Sequence, residues 1–148
     1  MPYINNVSMH NFNTGNYPIR TNHSTIAIRI TDPEITELPP PVHEFVRVHH
    51  FCFLDADERT LGISKKYLIS DKQAKEIAEI LDSALENDQD VIVNCHSGIC
   101  RSGAVTEVGV MLGFTDMKSF RYPNTLVKRK LMAALDLLPN GAIHGEDE

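Results

Sequence analysis

The spacing of apolar residues changes several times along this chain, and each change predicts an element. In STIAIRI (24–30), Ile26, Ile28 and Ile30 recur at every second position, the period of a strand with one buried face. FVRVHHFCFL (45–54) carries a second strand pattern. Over 70–88 the spacing becomes helical. Ile77, Ile80, Leu81 and Leu85 form one apolar stripe, and Ser70 followed by Gln73 fits a capping box. VIVNC (91–95), a β-branched run that ends in a cysteine, reads as a short buried strand. RSGAVTEVGVML (101–112) reads as a helix stopped by Gly113.

The intervals between these runs are polar or punctuated by proline. Residues 31–44 read as a loop, and 55–69 as a long loop with no clean period. Residues 116–120 suggest a helical turn or short helix, and 122–138 a last helix starting near Pro123. The Asn-rich segment 1–20 and the tail 139–148 read as peripheral. Strands alternating with helices predict one α/β domain over 1–148. Its central sheet is mostly parallel, with about four to five strands flanked by helices.

Composition narrows the function. A chain of 148 residues is long enough for one sizeable core. It has no apolar run of transmembrane length, and its first twenty residues lack the apolar stretch of a secretory signal. The expectation is a cytoplasmic protein without a membrane partner. Three cysteines, Cys52, Cys95 and Cys100, do not make a disulfide framework; reduced or reactive thiols fit better. The net charge of −6 and the scattered basic residues argue against a nucleic-acid surface. Lys128-Arg129-Lys130 reads as a solvated helix face. An acidic monomer is the default.

The chemistry concentrates in NCHSGICRSGA (94–104). Ligands gather at the carboxyl ends of parallel strands, and this stretch leaves one there through a small-residue loop into a helix. Such a loop turns backbone N–H groups toward an anion, and the helix start adds its positive dipole end. Arg101 supplies paired N–H donors for phosphate-like oxygens, and the same field favours the thiolate of Cys95. A thiolate facing a bound dianion is a nucleophile for phosphoryl transfer. The Cys-x5-Arg spacing by itself arises easily by chance. The strand before it, Gly98 within it, Ser102 after it and the helix behind it give it weight against the plain alternative of a buried thiol and a surface arginine.

NCHSGICRSGA resembles the phosphate-binding loop of the protein tyrosine phosphatase superfamily, and the chain's length resembles the small dual-specificity-like branch, of bacterial and phage type. The resemblance implies a phosphatase-like fold and a phosphomonoester hydrolase working through a phosphocysteine, without cofactor or metal. Its substrate class is phosphorylated protein or peptide. By resemblance, Cys95 is the nucleophile, and Arg101 clamps the phosphoryl oxygens. Ser102 donates to the Cys95 sulfur. The backbone of His96, Ser97, Gly98, Ile99, Cys100 and Arg101 cradles the phosphate. The family's general acid is an aspartate on the loop before the preceding helix. Asp55, in FLDADE, matches best, Asp57 is the alternative and Glu58 a distant third. Asn124, in YPN, matches a position that braces the phosphate loop; it also reads as a plain helix cap.

Two departures stand out. Asn94 occupies the position before the nucleophile where the family usually has histidine; its amide is expected to support the loop without carrying charge. Cys100 lies inside the loop, either as a small apolar filler or as a redox partner of Cys95, with Cys52 as a second candidate partner. His49, His50 and Cys52, with His43 nearby, alternate across a strand and have no matching pair elsewhere, so no metal site is read there. Two other functions compete: a phospho-binding module without turnover (a pseudophosphatase), and a rhodanese- or arsenate-reductase-like thiol enzyme in which other cysteines resolve an adduct on Cys95.

Overall fold

The apolar runs at 24–30 and 91–95 become neighbouring inner strands of one all-parallel sheet. The structure, a computed structural model, describes residues 1–137. Its strands are β1 (Tyr3–Ser8), β2 (Thr25–Thr31), β3 (Arg47–Cys52), β4 (Asp90–Cys95) and β5 (Thr115–Asp116), in the spatial order β3-β2-β4-β1-β5. The helices are α1 (Met9–Thr14), α2 (Asp71–Glu86), α3 (Arg101–Leu112) and α4 (Thr125–Ala134). The last helix ends at Ala134, with Leu135 as its C-cap, short of the expected end at 138; the tail 139–148 lies outside the described residues.

β2 and β4 are buried along their whole length, and their polar residues Thr25, Arg29, Thr31, Asp90 and Asn94 are buried with the apolar ones. Alternate residues divide between the two faces. Ile26, Ile28, Ile30, Val91, Val93 and Cys95 join the core beneath α2, α3 and α4. Ala27 and Ile92 face the opposite side and pack with Val7 and Phe12. α2 has the predicted capping box between Ser70 and Gln73, and it buries Ile77 and Leu81. On α3, Gly109 lets the helix lie close to β1, since a Cβ there would stand 2.5 Å from Ile4 Cδ1.

Three sequence expectations need correction. Residues 1–20 are not peripheral, because Tyr3–Ser8 is β1, inserted between β4 and β5. Two consecutive asparagines hide the strand from hydropathy, yet Asn5 and Asn6 are both buried. Residues 116–120 are not helical. The chain there pairs alongside β1, with Thr115 N–H on Pro2 O, and β5 ends at Asp116. The last helix begins at Thr125 rather than 122, because Asn124 is its cap. Within the 55–69 loop, Lys65–Tyr67 form one 3₁₀ turn.

The strand order decides where a ligand can sit. The chain leaves β1 through α1 and crosses β4 to reach β2; it leaves β4 through α3 and crosses β1 to reach β5. Right-handed crossovers in opposite directions put α1 and α3 on opposite faces. A crevice therefore opens at the carboxyl ends of β1 and β4, where Ser8 pairs with Cys95.

Candidate active site

The loop between β4 and α3 fills that crevice, and its carbonyls are drawn outward. His96 O accepts from Met9 N–H, Ile99 O from Tyr122 N–H and Cys100 O from Asn124 N–H. Gly98 O accepts from Asn6 Nδ2 at 2.7 Å. With the acceptors engaged outside, N–H groups are left for the inside of the loop, and those of Gly98 and Ser102 point at the Cys95 sulfur. Gly98 is required twice. Its φ is +77°, and a Cβ there would stand 2.4 Å from the backbone of Val7 and Ser8.

Cys95 is 1% exposed, and its Sγ lies 3.2 Å from Ser102 Oγ. Burial raises the thiol's pKa. The Ser102 hydroxyl, the N–H groups of Ser102 and Gly98, and the Arg101 charge together outweigh burial, so the net shift is below the ordinary thiol value. Cys100 behaves oppositely. Burial, followed by the charge of the Asp55 carboxylate, pushes its thiol up. Two thiols five residues apart are thus tuned in opposite directions.

Arg101 opens α3 and is 4% exposed. Its Nη1 donates to Asp32 Oδ1 and to Phe53 O, each at 2.8 Å. Its buried Nε has no partner among the described residues. The guanidinium is therefore pinned along one side, with a donor left over. A buried unpaired N–H is costly, and an anion within its reach would relieve it.

The two candidate acids differ in their ties. Asp55 is exposed just past β3; its Oδ1 accepts from Asn124 Nδ2 at 2.8 Å, and it neighbours Cys100. Asp57 is engaged by its own loop, with its carboxylate on Arg59 N–H and Nη2 and on the Thr60 hydroxyl. The Arg59 guanidinium first, then its backbone N–H, hold the Asp57 carboxyl below the usual carboxylate range. Glu58 pairs with Arg129. Asn124 caps α4, its Oδ1 accepting from Val127 N–H, while its N–H donates to Cys100 O and its Nδ2 to Asp55 Oδ1.

Asn94 does not support the loop. Successive strand residues face opposite ways, so its side chain lies across the sheet from Cys95. There Asn94 Oδ1 accepts from Arg29 Nε at 3.0 Å, and Nδ2 points to Met9 Sδ. Cys52 is no partner for Cys95. β2 lies between their strands, a separation of roughly 9–10 Å from the spacing of strands. That exceeds the reach of a disulfide, and Cys52 faces Thr31 and His50 on the other side of the sheet. Among the described residues no cluster of three or more His, Cys, Asp or Glu is arranged to hold a metal ion. No described helix is long and apolar enough to cross a membrane. The basic run on α4 is engaged with carboxylates: Lys128 with Glu107, Arg129 with Glu58 and Lys130 with Asp71.

Two site residues escaped the sequence reading. Asp32 begins a loop sixty-nine residues before the arginine it orients, and only the parallel pairing of β2 with β4 brings the two together. Asn6 braces Gly98 O and Phe120 O at once. Two asparagines inside a short apolar segment were its only sequence signal. Compared with known protein families and curated proteins, the chain matches no family model and no curated relative.

Proposed function

We propose that this protein is a cysteine-dependent phosphomonoester hydrolase of the protein tyrosine phosphatase type, acting on phosphorylated proteins or peptides. The observation that carries this reading is the buried, unpartnered Nε of Arg101 beside a thiol shifted toward thiolate. A phosphoryl group in the loop would take that N–H together with the inward backbone donors, and its phosphorus would face Cys95 Sγ. In the first step the Cys95 S–P bond forms as the ester P–O bond breaks, and Asp55 gives its proton to the leaving oxygen. In the second, water attacks phosphorus and gives a proton to Asp55. The S–P bond breaks, and the Ser102 hydroxyl stabilises the departing thiolate. Asp57, held as a carboxylate by Arg59, is the poorer acid.

One observation favours the reading without turnover: Asn124 ties Asp55 down, at 2.8 Å. Hydrolysis of p-nitrophenyl phosphate without added metal, followed against pH, separates the two. The hydrolase reading expects turnover by the wild type and none by Cys95→Ser. It expects Asp55→Asn to lose about 10²-fold in kcat on phenyl phosphate and to lose the basic limb of the profile, with Asp57→Asn close to wild type. A folded, reduced wild type that turns over nothing at any pH, yet binds phosphotyrosine, establishes the binding module instead.

A further inference from the structure

A cleft of about 310 Å³ opens from Arg101 between the 32–46 connection and the start of α1. Its walls include Met9, Leu38 and Pro39, with Asp32 and Glu37 among them. The connection 32–46 carries Asp32, Glu34, Glu37 and Glu44 and no lysine or arginine. Asp32 is engaged with Arg101, whereas Glu37 is exposed. The cleft thus combines an apolar wall with the exposed Glu37 carboxylate; His96 and Arg101 also line it, and the buried Nε–H of Arg101 has no partner.

We propose that this cleft takes the side chain of a lysine or arginine adjacent to the phosphorylated residue, so that the preferred substrates are cationic phosphopeptide segments. The inference rests on the phosphatase reading of the neighbouring loop. Lysine and arginine carry an aliphatic stem under a charged tip, which matches a cleft lined by Met9, Leu38 and Pro39 together with the Glu37 carboxylate. Arg29 lies behind this wall, bonded to Pro39 O, and opposes a cation. The balance still favours one, because Asp32, Glu37 and a bound phosphate dianion outweigh Arg29 and Arg101. The same carboxylates repel a second phosphate, which disfavours polyphosphorylated lipids and RNA ends.

The test uses phosphotyrosyl peptides with Lys, Ala or Glu flanking the phosphotyrosine, bound to the Cys95→Ser protein and read by fluorescence anisotropy. The Lys peptide is expected to bind about three- to tenfold tighter than the Ala peptide, with the Glu peptide weakest, and the ratio shrinks as salt rises. Glu37→Gln brings the Lys-to-Ala ratio toward one; Asp82→Asn, on the exposed side of α2, leaves it in place. Equal affinities for the Lys and Ala peptides overturn the proposal, as does tighter binding of the Glu peptide or no peptide binding at all. Turnover of p-nitrophenyl phosphate by the wild type judges the hydrolase separately. Turnover with equal peptide affinities sinks the cleft alone. Absent turnover sinks the hydrolase, and the peptide ratio still decides the cleft.

Discussion

Arg29 and Arg101 are both almost wholly buried, yet they are satisfied in opposite ways. Arg29 is 1% exposed and has no carboxylate in its hydrogen-bond set. Its guanidinium lies 4.1 Å over the Phe12 ring and donates to Asn94 Oδ1, Pro39 O, Asn13 Oδ1 and Met9 Sδ. Burial pulls its pKa below the ordinary guanidinium value, with Tyr17 opposing. Arg101 has a carboxylate at Nη1 and nothing at Nε. The first arrangement is architecture: one cation gathers α1, β4 and the 32–46 connection, and each of its three nitrogens has a partner. The second holds a donor in reserve. Burial alone does not tell the two arginines apart; the unspent N–H of Arg101 does.

Replacing each arginine in turn sharpens the contrast. Arg101→Lys should cost the most, about 10³-fold in kcat/KM for p-nitrophenyl phosphate, because a lysine cannot hold Asp32 and Phe53 O while presenting a second planar donor. Its thermal midpoint should move little. A near-normal rate would remove Arg101 from the chemistry. Arg29→Met should do the reverse, lowering stability in urea by about 3–5 kcal/mol as Asn94, Asn13 and Pro39 lose their donor. The folded protein should keep kcat within about threefold. A dead but stable Arg29→Met would erase the distinction between the two residues.

Ser102→Ala gives the smallest effect and tests the thiol. Cys95 titrates below the ordinary thiol value, so its alkylation by iodoacetamide should stay fast as pH falls below the usual thiol range. It slows only when pH passes the lowered pKa. Removing the Ser102 hydroxyl takes away a group that lowers the pKa, so the alkylation midpoint and the acidic limb of kcat/KM should both move up. A midpoint that does not move would assign the shift to the loop N–H groups and Arg101 instead.

Much of the molecule was legible without coordinates, because its local signals agree. The β2 and β4 runs, the capped stripe of α2 and the Gly113 stop on α3 each follow from spacing within a few residues. β1 was not legible, because Asn5 and Asn6 spend their side chains on Ser119, Gly98 and Phe120, partners more than ninety residues away. Cys95, Arg101 and Ser102 share one short loop, so their meeting is local. The Asp55–Asn124 and Arg101–Asp32 contacts each join residues sixty-nine apart, and no spacing rule reaches that far.

The sequence by itself determined the elements whose apolar period is unbroken, and with them the thiol, the small loop and the arginine at a strand-to-helix junction. Only the tertiary structure decided which way neighbouring side chains point. It turned Asn94 away from the loop and onto Arg29. It gave Asp32 to Arg101, and it kept Cys52 on the far face of the sheet. The physical reason is that a strand fixes only alternation. What each alternate face meets depends on which distant strand lies beside it, and on which buried donor remains to be satisfied.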